Sequence, residues 1–238
     1  MGIVIIVLAS ISAFIQANVG FGFNTMFMAM GPHFLPYSVA QVLCFSGAMM
    51  GNVTNILPRI KRVNFRQVLA PIISYSVATF ISIEFSKGID MDLLRRILGV
   101  LLFILAIYFI VLNGKIRIRP SLKNGIIAGL LSGVGGGLFA ITGPPVVVYY
   151  LSALKDKEEY MATVQTFFFL SAISTLSLKL ITGTFGSCSP MWLLFLLIGV
   201  AIGNFIGVKT YSKLNVDKVR LCVYIFMALS GIWIFISG

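Results

Sequence analysis

Apolar runs long enough to cross a bilayer recur along this chain, and no other feature constrains its fold so strongly. Eight runs occupy roughly 2–30, 37–57, 65–84, 93–113, 124–154, 160–182, 190–209 and 218–237. A helix rises 1.5 Å per residue, so about 20 apolar residues cross a hydrocarbon core about 30 Å thick. Of 238 residues, 58% are apolar and 11% charged, against about 25% charged in an ordinary soluble domain. A water-soluble core has no means of hiding so many helices that are apolar all round. The expected fold class is an all-α integral membrane protein, multi-pass in the cell inner (cytoplasmic) membrane. The opening MGIVIIVLAS has no basic start and no Ser or Thr at position 6. That argues against a cleaved signal peptide and against myristoylation.

The net charge of +11 would point to nucleic acid on a soluble protein. Here the basic residues fall between apolar runs, so topology explains them and no nucleic-acid partner is expected. Loops 58–66 and 114–123 carry four basic residues each and no acid, and 209–220 carries four against one acid. These belong in the cytoplasm. Stretch 84–96 balances three against three, and 183–190 is uncharged; both read as outside. The fifth run, 124–154, must then start and end in the cytoplasm, since the sixth has to reach the outside by 183. A segment that leaves and returns to one side is a re-entrant hairpin, with arms expected over about 125–137 and 145–154. The first run reads as a second hairpin, with one long kinked helix as the rival.

Both long runs contain glycine-rich breaks. Asn18-Val-Gly20-Phe-Gly22 aligns with Gly133-Val-Gly135-Gly136-Gly137, and a Gly-Pro pair follows each, at 31–32 and 143–144. Asp90-Met-Asp92-Leu-Leu-Arg95 aligns in turn with Asn215-Val-Asp217-Lys-Val-Arg220. The chain therefore divides into a first repeat 1–113, a basic cytoplasmic linker 114–123 and a second repeat 124–238. Loop charges give the repeats opposite orientation, with each a broken helical hairpin followed by three transmembrane helices. Secondary transporters are often built this way and hold substrate near the midplane at such breaks.

Broken backbone is tolerated at membrane depth only inside protein or beside a watery cavity. Glycines let other atoms approach the bare chain. Pro144 and Pro145 suit the first turn of a new helix, which Thr142 is expected to cap. Asn24 and Thr25 are expected to cap the return arm of the first break. Helix starts that point inward carry a positive dipole end and suit an anion. The candidate substrate residues are Asn18, Gly20, Gly22, Asn24, Thr25, Gly135, Gly136, Gly137, Thr142, Gly143 and Pro144. Gln41 and Gln165, read as opening the helices after the hairpins, join them. Lys179 has two readings, anion binding or snorkelling to the interface. Gly125, Gly129 and the set Gly199, Gly203, Gly207 have the four-residue spacing of close helix packing. Cys44 and Cys222 read as packing residues, and His33, the single histidine, as a surface residue.

The N-V-G-F-G-F and G-V-G-G-G-L-F-A-I-T-G-P-P stretches and the two D-x-x-R helix starts resemble the sulfite exporter TauE/SafE family over essentially the whole chain. The resemblance implies a membrane transporter of small sulfur-containing anions, with the breaks at 18–25 and 133–145 as the substrate region. The function expected is secondary transport of a sulfite, thiosulfate or sulfonate-class anion by alternating access, and the alternative is a passive small-anion channel. An enzyme is not expected, since Cys188 with His33 is the sole imaginable nucleophile–base pair. No cofactor and no metal ligand set is expected. The partners expected are the anion and the lipid bilayer, with H+ or Na+ coupling and a homodimer left open.

Overall fold

A computed structural model describes residues 1–19, 22–112, 119–186, 188–210 and 216–237. Ten helices follow in order: α1 Gly2–Val19, α2 Phe23–Met30, α3 Tyr37–Ile56, α4 Phe65–Ser86, α5 Met91–Leu112, α6 Leu122–Phe139, α7 Gly143–Ala153, α8 Lys157–Ile181, α9 Pro190–Thr210 and α10 Val216–Ser237, with 3-10 turns at Gly31–His33 and Leu57–Arg62. The protein is an all-helical membrane protein. Among the described residues, α4, α5, α6, α8 and α9 are long and apolar enough to cross a membrane. Each long run is two helices, α1–α2 and α6–α7, and each of the other six is one.

The helices form two compact units, Met1–Gly47 with Ile89–Asn113 and Phe185–Gly238, and Ala48–Gly88 with Gly114–Thr184. Each unit draws on both halves of the sequence. In the first, α9 lies along α1. A Cβ on Gly199 would meet Ile6 and Ala9, one on Gly203 would meet the Ser10 backbone, and one on Gly207 would meet Ala17 and Phe14. The contacts advance together along both chains, so the two helices run parallel. The Ser10 hydroxyl donates to the Gly199 carbonyl at 3.0 Å. Gly99 of α5 and Gly231 of α10 face each other, each leaving a Cβ only 2.6 Å from the other's carbonyl oxygen. In lipid there is no hydrophobic drive between helices, so such close backbone approach supplies the packing.

The second unit repeats the pattern with α6 on α4. Gly129 meets Pro71 and Ser74, Gly133 meets Tyr75 and Ala78, and Gly137 meets Thr79 and Ser82. These helices also run parallel. Near the start of α6, Gly125 packs on the Tyr149 ring of α7, while Gly136 near its end packs on Thr142. Thus α6 and α7 form an antiparallel hairpin. Tyr149 Oη donates to Gln67 Oε1 at 2.8 Å and Tyr150 Oη to the Gln67 carbonyl at 3.2 Å. The end of α7 therefore lies beside the start of α4. At that same end the Asn64 amide nitrogen donates to Thr163 of α8, its side-chain amide to Glu159, and Arg59 pairs with Glu158 at 2.6 Å. Both feet of the hairpin stand on one face of this unit, with the basic turn 57–62 and the start of α8.

The arms depart from the expected bounds. The α6 helix has 18 residues, about 27 Å, because Ser121 caps it early by accepting from the Asn124 amide and because it runs on past Gly137. It stops where Ala140 turns left-handed at φ 56, the sole positive-φ non-glycine among the described residues. The α8 helix starts at Lys157 instead of 160, since Asp156 accepts from the Glu159 amide at 2.8 Å. Gln165 consequently lies in its third turn and does not open it. In the first unit, Gly22 is left-handed at φ 105 and separates α1 from α2. The first run is therefore not one continuous helix. Cys44 is buried, whereas Cys222 is exposed and lines an apolar groove with Phe14, Met26 and Phe226, so it faces lipid and does not pack.

Two measurements test this layout. An L-residue in the left-handed region costs about 1 kcal/mol relative to glycine, so Ala140→Gly should raise the unfolding midpoint in detergent; a lowered midpoint would count against the turn. Cys188 is half-buried, and burial holds its thiol above the usual range. Thiolate is the reacting form, so labelling by an impermeant maleimide from outside should still accelerate above pH 9, with Cys44 protected. Labelling of Cys188 from the cytoplasmic side would overturn the loop assignment.

Candidate functional site

The tip of the α6–α7 hairpin is built by three glycines that leave no room for a side chain. A Cβ on Gly135 would strike the Ile141 carbonyl, one on Gly136 the Tyr75 hydroxyl and one on Gly137 would lie 2.8 Å from Ser82. The turn closes through the Ala140 amide donating to Gly136 O at 3.1 Å and the Ile141 amide to Gly135 O at 3.0 Å. Close packing on α4 and on the turn itself thus accounts for all three glycines.

Thr142 occupies the N-cap position of α7 but makes no capping bond. The reason lies in the two residues expected to start the helix. A cap accepts from the second or third helical N–H, and those positions are Pro144 and Pro145, which have none. At this helix start only Thr142 and Gly143 have N–H groups to offer, two of the usual four. The first break also lacks its expected caps. The N-cap of α2 is Gly22, with no side chain, while Asn24 and Thr25 lie inside the first turn. All of Gly22, Phe23, Asn24 and Thr25 carry N–H groups there. Asn18 ends α1 with its Nδ2 donating to Phe14 O at 2.9 Å. Its Oδ1 is buried without a hydrogen-bond partner among the described residues. Gly20 lies outside the described residues. Gln41 of α3 is 4% exposed and bonds the Tyr37 hydroxyl.

Around the hairpin tip the second unit gathers hydroxyls. Tyr75 Oη is 2.7 Å from Thr175 Oγ1, and Thr175 gives its own proton to the Ser171 carbonyl at 2.9 Å. A hydroxyl has one proton, so Tyr75 donates in this pair, and its oxygen lies against Gly136. Thr79 donates to Gly133 O at 3.2 Å. The Ser132 hydroxyl is fully buried and has no partner among the described residues. Phe167 packs edge-on against both Tyr75 and Tyr150, which fixes the tyrosine ring within the unit's apolar core. A Cβ on Gly143 would lie 3.9 Å from the Phe168 ring, and Pro144 is buried.

Lys179 lies on α8 four residues beyond Thr175 and is 4% exposed. It stands in the last turn of that helix. Spacing places Gln165, Ala172, Thr175 and Lys179 along one buried helix face. Gly136 thus lies against Thr142 and Tyr75, and Tyr75 bonds Thr175, with Gln165 and Lys179 on the same stripe of α8.

The chain matches the family model described as sulfite exporter TauE/SafE over residues 4–234. It belongs to the sulfite exporter TauE/SafE family. No curated protein and no solved structure matches the chain. As a TauE/SafE protein it is a membrane transporter of a sulfur-anion exporter family. Tyr75 and Thr175, which meet beside Gly136, were missed from the sequence. Their signal was a set of hydroxyls in otherwise apolar runs, Ser74, Tyr75, Thr79 and Ser82 on α4 and Ser171 and Thr175 on α8; Tyr75 meets α8, whereas Ser74, Thr79 and Ser82 lie against α6.

The contact between Gly136 and Tyr75 makes a sharp test. Gly136→Ala should destabilise the protein by about 1–3 kcal/mol through overpacking. Adding Tyr75→Phe, which removes the clashing oxygen, should recover part of that loss although it breaks the bond to Thr175. Additive losses in the unfolding midpoints of the double variant would mean the two residues are not in contact.

Proposed function

We propose that this TauE/SafE protein is a secondary transporter in the cytoplasmic membrane, moving a small anion of the sulfite, thiosulfate or sulfonate class by alternating access. The reading is carried by Lys179. A charged side chain at membrane depth is costly and is retained for function by default. Helical side chains lean toward the N-terminus of their helix, so Lys179 reaches back along the Thr175 stripe toward the hairpin tip. There the start of α7 adds the positive end of its dipole and Thr142 adds a hydroxyl with no capping duty.

The acidic residues support an anionic substrate. All seven, Glu84, Asp90, Asp92, Asp156, Glu158, Glu159 and Asp217, stand at or just outside helix ends. None is in position to receive a cation or relay a proton across the interior. H+ or Na+ coupling, if present, uses backbone carbonyls and hydroxyls at the breaks. In the first unit, the N–H groups of α2 and Asn18 supply the corresponding elements at the other break.

The test is counterflow in proteoliposomes loaded with unlabelled sulfite, thiosulfate, a sulfonate, sulfate or acetate, following entry of labelled sulfite. Sulfur anions inside should stimulate entry and acetate should not. Lys179→Met, which keeps the volume and removes the charge, should cut the stimulated flux roughly tenfold or more, as loss of a charge-assisted hydrogen bond does. Entry without trans-stimulation would mean a channel, and full activity in Lys179→Met would remove Lys179 from the site.

A further inference from the structure

Outside the hairpin site, one cation of the first unit is left largely unspent. Arg95 lies in the second turn of α5 with its side chain 32% exposed. Its Nε is buried and has no hydrogen-bond partner among the described residues. Its ion pair is with Asp92 on the preceding turn, at 4.0 Å and with the Asp92 side chain 64% exposed. A pair that long and that wet is worth little, and it engages at most one edge of a guanidinium that has five N–H donors.

The surroundings of Arg95 suit an oxyanion. Tyr37, at the start of α3 and 4% exposed, has its hydroxyl held by Gln41, and the Arg95 charge acts on it. His33, in the 3-10 turn Gly31–His33, bonds the Ala29 backbone. Burial foremost, and then the same Arg95 charge, lowers its pKa from the ordinary 6.5, so the ring is neutral at pH 7. Near Arg95 on the same element stand Asp90, which accepts from the Asp92 amide at 3.3 Å, and exposed Arg96.

We infer that Arg95 is a docking site for a small tetrahedral or pyramidal oxyanion at this rim of the first unit, and that Asp92 competes with the anion for the guanidinium. A planar fork of N–H donors matches such oxygens two at a time. Asp92 holds the fork from one side only, at a distance that an arriving anion can outcompete. The site is separate from the Lys179 stripe, and its test does not need transport to occur.

His33 is the single histidine of the chain, so its carbethoxylation by diethylpyrocarbonate reports this rim alone in protein purified without a histidine tag. Sulfate should slow the reaction saturably. Arg95→Gln should raise the half-protecting sulfate concentration roughly tenfold or more, whereas Asp92→Asn should lower it. That opposition of sign separates docking from a structural ion pair, for which both variants would act alike. Asp92→Asn changes an exposed residue and keeps the test open even if Arg95→Gln folds poorly. Absence of sulfate protection in the unaltered protein, or variants that shift protection in the same direction, would overturn the assignment. Failure of sulfite counterflow with protection intact would count against the transport reading and leave this site standing.

Discussion

The second unit rests on the approach of α6 to α4 at backbone contact. Lipid gives no reward for bringing two apolar helices together, because the tails they displace are as apolar as the side chains. What holds α6 is dispersion at the shortest distance and the few polar contacts that distance permits, such as Thr79 to the Gly133 carbonyl. A side chain at Gly129, Gly133 or Gly137 would push the helices apart, since each position already touches α4. Moving α6 would move the hairpin tip, and with it the contact of Gly136 with Tyr75. The first unit meets the same constraint with the glycines on α9 and the larger residues on α1.

That contact ties the broken helix to the polar stripe of α8. Breaking a helix inside a membrane exposes N–H and carbonyl groups that need partners. Here the end of α6 satisfies its own carbonyls through Ala140 and Ile141. The two prolines remove donors from the start of α7 instead of pairing them. What remains near the tip is a short list of hydroxyls from Tyr75, Thr175, Thr142 and Ser132, with the Lys179 stripe beside them. The break is economical in exposed backbone and rich in side-chain oxygen.

Much of the fold was legible because membrane crossing leaves a strong mark in one dimension. The eight apolar runs became ten helices at nearly the expected bounds, and the basic loop before 124–154, with the uncharged loop 183–190 beyond the next run, forced a hairpin that the contacts of Gly125 with Tyr149 and Gly136 with Thr142 display. The site was less legible. Thr142, Asn24 and Thr25 were expected to cap helices by residue type, yet capping depends on which residues follow and on local dihedral angles. Pro144 and Pro145 disable the first, and left-handed Gly22 replaces the others. Tyr75 escaped notice because a lone tyrosine in an apolar run is ordinary until its hydroxyl is found against a glycine.

The sequence by itself determined that this chain is a helical membrane protein with two broken runs, and its motifs carried the family. These properties follow from local composition, since apolar length, glycine and proline act where they stand. Only the tertiary structure decided that Gly135, Gly136 and Gly137 are closely packed, that Lys179 is buried, and that each compact unit is assembled from both halves of the chain. Those outcomes depend on which helix lies against which, a choice made by shape complementarity between segments far apart in sequence.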